Sequence, residues 1–127
     1  MLLLDTHTYL WFINDDNKLS RDVKKYIEDT SDVYVSVVTF WEIAIKYALG
    51  KLQLPCPPSV LMTECEKIKI GILPITAEHI ETLGNIPLIH RDPFDRMLIS
   101  QAMAEDMTLV TADKNIHMYD CVRQIEI

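Results

Sequence analysis

The sequence predicts a single α/β domain, spanning residues 1–127, that is built on a mainly parallel sheet. Short apolar or β-rich runs alternate along the chain with longer segments in which apolar residues recur at helical spacing. The length of 127 residues is typical of one domain. Because 49% of the residues are hydrophobic and 24% are charged, the chain can bury a core, which argues against disorder.

Strands and helices alternate regularly in the first half of the chain. Ser20 is predicted to cap a helix because Val23 and Ile27 follow it at helical spacing. Thr39 is predicted to start a later helix, and Gly50 is predicted to end it. In order, the predicted elements are a strand at 2–4, a helix at 7–13, an acidic turn at 14–17, a helix after 20, a strand at 33–38 and a helix at 39–50.

A proline-rich loop opens the second half, and the alternation then continues. Thr76 is predicted to cap a short helix that stops near Gly84. Asp92 fits an N-cap, and Pro93 fits the first helical position, where no backbone N–H donor is needed. In order, the predicted elements are a loop with prolines 55, 57 and 58, a helix at about 59–67, a strand at 68–73, a helix at 76–84, a loop at 85–92, a helix at 93–106, and strands at 108–110 and 122–127.

Cysteine content and the N-terminus favour a reducing cytoplasm. Cys56, Cys65 and Cys121 are odd in number and lack C-x-x-C spacing, which argues against a disulfide framework and a zinc ribbon. Asp5 ends the first apolar run before it resembles a signal peptide. No run of 18 apolar residues occurs, so we expect a cytoplasmic protein without a membrane partner.

The formal net charge of −7 limits the choice of partners. It arises from 19 acidic and 12 basic residues. On charge alone, nucleic acid is a poor partner for such a chain. Either the partner is basic, or the acids gather where a divalent cation neutralises them, and composition does not choose between these possibilities.

Four acidic residues lie at junctions between predicted strands and helices. Asp5 and Asp113 follow strands directly, whereas Glu42 and Asp95 lie in the first turns of predicted helices. In a parallel sheet, strand carboxyl ends and helix N-termini share one edge, where such folds bind ligands. We therefore expect the four carboxylates to converge, and a hard cation with oxygen ligands would stabilise several of them at once.

Each of these acids also has a purely structural interpretation. Glu42 fits a capping box with the threonine three residues before it, and it can pair with Lys46 one turn later. Asp5 and Asp113 fit turn residues or N-caps. Asp95 fits this interpretation less well, because it continues the apolar stripe of its helix and a carboxylate there needs a partner.

Histidine, aromatic and basic residues give weaker signals. The histidines lack paired ligand spacing and are predicted at the surface or in loops, namely His7, His79, His90 and His117. Four aromatic residues are predicted in the core, with some available for a dimer or partner surface, namely Trp11, Phe12, Phe40 and Trp41. Four basic residues near the acids are candidates for phosphate contacts or for ordinary solvated surface, namely Lys46, Arg91, Arg96 and Lys114.

Four stretches of the chain together resemble PIN-domain ribonucleases, in particular the VapC-like toxins of bacterial toxin–antitoxin pairs. The stretches are LLLDTHTYLWF, SVVTFWEIAIKYALGKL, HRDPFDRMLISQA and TLVTADKNI. They occur in the order typical of the family and span nearly the whole chain. One such stretch would be weak evidence, but four in order with compatible spacing are specific.

The resemblance implies a single PIN domain with a three-layer α/β/α fold and a central sheet of about five strands. It also implies a metal-dependent endoribonuclease that hydrolyses RNA phosphodiester bonds with Mg²⁺ or Mn²⁺, an antitoxin that blocks the acidic cleft, and a homodimer. The family's metal site maps onto Asp5, Glu42, Asp95 and Asp113. Asp92 is a neighbour of this site, and Thr6 and Thr111 match small hydroxyl residues that flank the metal acids.

The expected roles of the four acids differ. Asp5, Glu42 and Asp95 are expected to hold the principal ion. Asp113 is expected to hold a second ion or to orient the attacking water. Crowded carboxylates repel one another without a cation, so their pKa values should be raised and coupled.

Two other functions stay open at this point. A catalytically silent PIN-fold binding module would use the acids only to stabilise helix starts. A phosphatase-like α/β domain would use the aspartate after the first strand as a nucleophile. That chemistry usually has a second aspartate two residues later, where this chain has His7.

Overall fold

Five strands form one sheet in the order β3-β2-β1-β4-β5, and every neighbouring pair is parallel. The structure is a computed structural model that describes residues 1–127. The strands are β1 Leu2–Leu4, β2 Val33–Ser36, β3 Gly71–Leu73, β4 Thr108–Thr111 and β5 Gln124–Glu126. The predicted α/β architecture with a parallel sheet of about five strands is therefore confirmed.

Seven helices connect and cover the strands. They are α1 Thr6–Ile13, α2 Arg21–Asp29, α3 Val37–Ala48, α4 Pro58–Lys67, α5 Ala77–Leu83, α6 Pro93–Ala104 and α7 Lys114–His117. Six of them were predicted, whereas the four-residue helix α7 was not. None of the helices combines the length and the apolar character that a membrane crossing requires.

The central strand β1 is buried on both faces of the sheet. Leu2 and Leu4 pack into one apolar cluster, which includes Tyr9 of α1 and Ile43 of α3. Leu3 points to the opposite face and packs into a second cluster, which includes Leu98 of α6. Alternate side chains of a strand point to opposite faces, so a strand of three leucines supplies both cores. The result is the three-layer arrangement, with the ends of β1 and β4 adjacent at one edge.

The boundary between β2 and α3 differs from the prediction. The strand ends at Ser36, whose hydroxyl accepts the Val38 N–H at 3.0 Å and caps a helix that begins at Val37. The predicted start at Thr39 and the capping box with Glu42 are therefore wrong, and Glu42 lies in the second turn. A side-chain cap at the end of the strand outweighs the β propensity of the two valines.

Other helix ends follow the predicted caps. The side chains of Ser20, Thr76 and Asp92 each accept a backbone N–H from the first turn of the following helix. Gly50 follows α3 with a φ of +70°, a conformation that glycine adopts without steric cost. Strand β3 starts later than predicted, because Ile68 still bonds back into α4 and the chain reverses at residue 69 before the strand begins.

Helical spacing predicts that residues 40, 43, 44, 47 and 48 share one apolar face of α3, and this face is only partly buried. Phe40 and Ile43 lie in the core, but Tyr47 is exposed at the far end of the helix. Trp41, predicted in the core, is 56% exposed and stacks edge-on against Phe94 with ring centroids 5.0 Å apart. Ala44 and Ala48 are exposed as well, so helical spacing alone overestimates the burial of α3.

His79 also departs from its predicted surface or loop position. Its ring is fully buried between α5 and α6. Nδ1 accepts the Thr76 N–H at 3.1 Å, and Nε2 lies 2.9 Å from Glu105 Oε1. The histidine takes the position of the glutamate or glutamine in a capping box, and one local and one long-range hydrogen bond satisfy its buried polar ring.

We expect Gly71→Ala to lower the free energy of unfolding by about 1–3 kcal/mol, as overpacking does. A methyl group at Gly71 would lie 2.7 Å from the ring of Tyr34, its partner across the β2–β3 pair, so the ring must move. Urea unfolding measures the change. Gly84→Ala is the control, because its added carbon would meet only the Glu81 carbonyl oxygen at 3.4 Å. Equal stability of Gly71→Ala and the unchanged protein would contradict this account.

Candidate metal centre

A cavity of about 270 Å³ lies where β1 and β4 end, and all four predicted acids line it. Only two of its ten lining residues are apolar. The lining residues are Asp5, Thr6, His7, Trp11, Glu42, Lys46, Asp92, Asp95, Ala112 and Asp113. A larger cavity, of about 730 Å³, lies elsewhere and includes none of the four acids, so size alone would have pointed away from the charged site.

Asp5 forms the floor of this cavity and is 5% exposed. Its Oδ1 caps α1 by accepting the Thr8 N–H at 2.9 Å, and its Oδ2 accepts the Thr111 hydroxyl at 2.5 Å. The Thr111 oxygen in turn accepts the Asp113 N–H at 3.0 Å. Hydrogen bonds to an ionised carboxylate are strong, so this chain of contacts fixes the two aspartates relative to each other.

Glu42 is buried against α1 and is held from both sides. Its Oε1 accepts the Thr6 hydroxyl at 2.7 Å, and its Oε2 accepts from Lys46 Nζ at 2.5 Å. Burial alone would lower the pKa of Lys46, but the hydrogen bond and charge of Glu42, helped by Asp92 and Asp95, raise it. The predicted pairing of Glu42 with Lys46 is therefore present, and this ammonium group neutralises part of the acidic charge.

Asp95 is the acid with the most strongly altered chemistry. Burial raises its pKa to about 8, and the neighbouring charges of Asp92, Asp113 and Glu42 act in the same direction. A hydrogen bond with the Asp113 carboxyl also favours the protonated form. In the absence of a cation, Asp95 therefore retains a proton at neutral pH.

The remaining two aspartates are N-caps with carboxylates at the cavity. Asp92 Oδ1 accepts the N–H groups of Phe94 and Asp95, at 2.8 and 3.1 Å, and starts α6. Asp113 Oδ1 accepts the Asn115 N–H at 2.8 Å and starts α7. Their structural role and their place beside Asp95 coexist, since a carboxylate oxygen accepts more than one hydrogen bond.

The ligand atoms are not equally close to one another. His90, Asp92 and Asp95 form the one set of three whose ligand atoms all lie within 4.8 Å of each other. His90 Nε2 lies 3.4 Å from Asp95 Oδ2. No three of the four predicted acids meet that limit, so those carboxylates surround the cavity without meeting at one point.

The donor set suits a hard divalent cation. It consists of carboxylate oxygens with the imidazoles of His7 and His90 and no thiolate, and burial together with the neighbouring acids raises the pKa of Asp95. Mg²⁺ keeps several of its waters and takes only one or two carboxylates directly, so spaced carboxylates around a polar cavity fit it. Asp5, Glu42, Asp92, Asp95 and Asp113 are the oxygen donors available here.

Two residues beside the site had no predicted role. The sequence predicts an ordinary surface or loop histidine at His90, although its position two residues before Asp92 is a signal for a place beside the site. Tyr119 is fully buried, and its hydroxyl accepts the His90 N–H at 2.8 Å and donates to the His90 carbonyl oxygen at 3.2 Å. No sequence pattern links residues 29 positions apart, so this support for the loop could only be seen in the fold.

The candidate phosphate-binding residues divide into two groups. Lys46 is engaged by Glu42, and Arg96 Nη1 donates to the Pro87 carbonyl oxygen and to the Tyr119 hydroxyl, at 2.8 and 3.1 Å. Arg91 and Lys114 are exposed. Lys46 and Arg96 therefore stabilise the fold through contacts within the protein. The charged groups of Arg91 and Lys114 are accessible to phosphate.

The chain is similar to known proteins in sequence along nearly its whole length. The sequence pattern of the PIN domain matches residues 2–120. A curated relative, Ribonuclease VapC22 from Mycobacterium tuberculosis, is 23% identical, and the alignment covers 99% of this chain and 97% of the relative.

Two solved structures share the fold. The crystal structure of VapBC2 from Rickettsia felis bound to a DNA fragment from their promoter superposes with a TM-score of 0.72 at 16% identity, covering 99% of this chain and 98% of that one. A toxin-antitoxin complex from Klebsiella pneumoniae superposes with a TM-score of 0.63 at 16% identity and covers 100% of both chains. These similarities confirm the predicted fold class.

We expect Asp95→Asn to stabilise the metal-free protein progressively as pH rises. The unfolded chain loses the Asp95 proton near pH 4 and the folded chain only near pH 8, so ionisation of the unfolded state lowers stability between these values. Asparagine removes this loss while keeping a donor for Asp113. The gain in free energy of unfolding should be absent at pH 4 and reach about 1 kcal/mol or more at pH 8, since one pKa unit corresponds to about 1.4 kcal/mol.

Urea unfolding in the presence of a chelator measures this gain. Asp120→Asn is the matched control, because it removes one exposed negative charge away from the cavity. A constant difference between Asp95→Asn and the unchanged protein from pH 4 to pH 8 would show that Asp95 titrates normally.

Proposed function

Because this chain belongs to the PIN domain family, we propose that it is a metal-dependent endoribonuclease and the toxin of a toxin–antitoxin pair. One observation carries this proposal. The acids that the family resemblance selects, Asp5, Glu42, Asp95 and Asp113, all line one polar cavity at the edge of the sheet. The ribonuclease name of the Mycobacterium tuberculosis relative supports RNA as the substrate.

Asp5, Glu42 and Asp95 would hold the principal Mg²⁺ or Mn²⁺, in part through waters that the ion keeps, and Asp113 would hold a second ion or orient the attacking water. When bound, such ions neutralise phosphate charge, lower the pKa of water and stabilise the leaving oxygen. His90 and Asp92 would supply further ligands next to Asp95, because one ligand atom from each of these three residues lies within 4.8 Å of the other two.

The chain's own residues would keep the acids in place and control their protons. The Thr6 and Thr111 hydroxyls orient Glu42 and Asp5, and Lys46 reduces the repulsion around Glu42. Asp95 must lose its proton before it can act as an anionic ligand. Cation affinity should therefore increase as pH rises towards 8.

A cation in this cavity would also reconcile the acidic chain with an anionic substrate. The net charge of −7 repels RNA in general, but a divalent ion bridges carboxylates and phosphate. The exposed cations of Arg91 and Lys114, next to Asp92 and Asp113 in the sequence, are available for phosphates outside the cavity.

An antitoxin is the proposed protein partner. One structural neighbour is itself a toxin-antitoxin complex, and this chain covers all of the matched chain. A basic or amphipathic antitoxin segment would suit the acidic cleft and could block it. The choice of RNA target and cleavage sequence would depend on protein surfaces outside the acidic cavity.

Self-association is proposed through the outer face of α3. Trp41, Ile45 and Leu49 follow one another at intervals of four residues and are 56%, 38% and 63% exposed. Residues at this spacing share one helix face, so they form an apolar stripe. Such stripes are typical of protein interfaces, and a homodimer would cover this one.

A catalytically silent binding module is the second candidate. The observation in its favour is that Asp5, Asp92 and Asp113 each accept a backbone N–H as an N-cap. In that case the acids would only stabilise helix starts. The module would bind Mg²⁺ or Mn²⁺ weakly or not at all, and a variant with all four acids replaced by their amides would keep its stability.

We expect Asp5→Asn to reduce RNA cleavage more strongly than the 10–100-fold loss that is typical when a partner of a metal ligand is removed. Asp5 would contact the ion itself, and its amide cannot supply the same charge. The measurement is cleavage of total RNA by the purified protein with Mg²⁺ or Mn²⁺, with a chelator as the second arm. Asp120→Asn, an exposed aspartate outside the cavity, should cleave like the unchanged protein.

Full cleavage by Asp5→Asn would remove Asp5 from the mechanism. Cleavage that persists in the chelator would contradict metal dependence. Failure of the unchanged protein to cleave RNA or to bind either metal would favour the silent module.

We expect Ile45→Lys to convert the homodimer to a monomer, because it places a charge in the middle of the α3 stripe. Sedimentation velocity of the purified protein measures the change. Tyr26→Lys on α2 changes another exposed large hydrophobic residue, which lies outside the stripe, and should leave the dimer intact. A monomeric unchanged protein would disprove self-association.

A further inference from the structure

Two aromatic side chains share the acidic cavity with the carboxylates and have no part in holding them. His7 and Trp11 both line the cavity, with His7 exposed and Trp11 half-buried. Their ring centroids are 5.9 Å apart, and the ring planes are inclined by 52°. An exposed imidazole and an indole at the mouth of a charged cavity form a mixed surface that a hydrated ion alone does not require.

Both rings project from α1, which starts at the acidic floor. Asp5 is its N-cap, His7 follows two residues later and Trp11 follows one turn after that. With a rise of 1.5 Å per residue, these two side chains begin about 3 and 9 Å along the helix axis from Asp5. Residues four apart lie on the same helix face, so the surface continues from the carboxylates to the rim.

We propose that His7 and Trp11 form a base-stacking platform that binds a nucleobase of single-stranded RNA next to the phosphate in the acidic cavity. This inference rests on the proposed function. Unpaired RNA bases stack on histidine and tryptophan rings, and such contacts tolerate different base sequences. Because the rings are inclined by 52°, the base stacks on one ring and meets the other with its edge.

Lys18 adds a positive charge to this platform. Its Nζ lies 5.9 Å from the centre of the Trp11 ring, which is within the range of a cation–π contact. The ammonium group therefore lies beside the Trp11 ring, on which a base would stack. A phosphate of the adjoining nucleotide would find a cation there on a chain whose net charge is −7.

The competing explanation is that the two rings only stabilise α1 through their contact one turn apart. The two explanations differ in how the protein responds to bases. If the two rings are only structural, their removal lowers the stability of the protein and does not make RNA affinity depend on bases. A platform makes the affinity for RNA depend on the presence of bases.

The first test compares His7→Ala with the unchanged protein on two ligands of equal charge. The ligands are a ten-nucleotide oligouridylate and a ten-unit abasic ribose phosphate oligomer, both end-labelled. Binding is measured by fluorescence anisotropy with Ca²⁺ in place of Mg²⁺, and gels verify that the RNA stays intact. We expect His7→Ala to weaken oligouridylate binding about 10-fold, which corresponds to about 1.4 kcal/mol, and to leave binding of the abasic oligomer unchanged.

Tyr26→Ala is the control, because it removes an exposed aromatic ring that does not line the cavity. It should bind both ligands like the unchanged protein. Equal binding of oligouridylate by His7→Ala and the unchanged protein would overturn the platform. Equal losses on both ligands would overturn it as well, since they would indicate a charge or folding effect.

The second test uses the two tryptophans as separate reporters. In Trp41→Phe, Trp11 is the remaining tryptophan, and a stacked base should quench its fluorescence. In Trp11→Phe, the reporter is Trp41, which does not line the cavity, and oligouridylate should leave its emission unchanged. Quenching of Trp41 but not of Trp11 would overturn the proposal.

The cleavage assay separates failure of this inference from failure of the proposed function. If the unchanged protein cleaves RNA with Mg²⁺ and base content has no effect on binding, the platform is wrong and the ribonuclease stands. If the unchanged protein neither binds nor cleaves RNA, both are wrong.

Discussion

The hydrogen bond from the Thr111 hydroxyl to the Asp5 carboxylate joins the ends of two neighbouring strands, and the acidic site is built on it. β1 and β4 are paired in parallel, so their carboxyl ends lie side by side. Asp5 and Thr111 are both buried at that position. Since a buried carboxylate is costly without donors, the contact both satisfies Asp5 and fixes the floor against which the other acids are arranged.

The rest of the site is a balance between crowding and local support. Glu42 has a lysine and a threonine as partners, and Asp5 has an amide and a threonine. Asp95 lies beside other acids, and burial, reinforced by their charges, raises its pKa so that its carboxyl stays protonated. Asp95 is thus the acid of this site whose pKa is strongly raised. Active sites commonly contain groups with such altered pKa values.

Much of this could be predicted from local patterns. Features that depend on neighbours in the sequence are present as predicted. They are strand β1, the parallel α/β order and the helix caps at Ser20, Thr76 and Asp92. The start of α3 could not be predicted, because two valines favour a strand and a single serine cap favours a helix.

Contacts between distant segments were also out of reach. Tyr119 binds the backbone of His90, which lies 29 residues earlier in the sequence. His79 contacts Glu105, which lies 26 residues later. The convergence of four acids was an exception. It follows from a general property of parallel sheets, and no knowledge of individual contacts was needed.

The order in which the ribosome makes this chain has a consequence for when the site exists. Its parts come from distant segments, since Asp5 is made well before Asp113 and Tyr119. A nascent polypeptide that stops before β4 has neither the Thr111 contact nor the tyrosine that secures the His90 loop. During synthesis, the cavity therefore stays incomplete until β4 and the segment that follows it have been made.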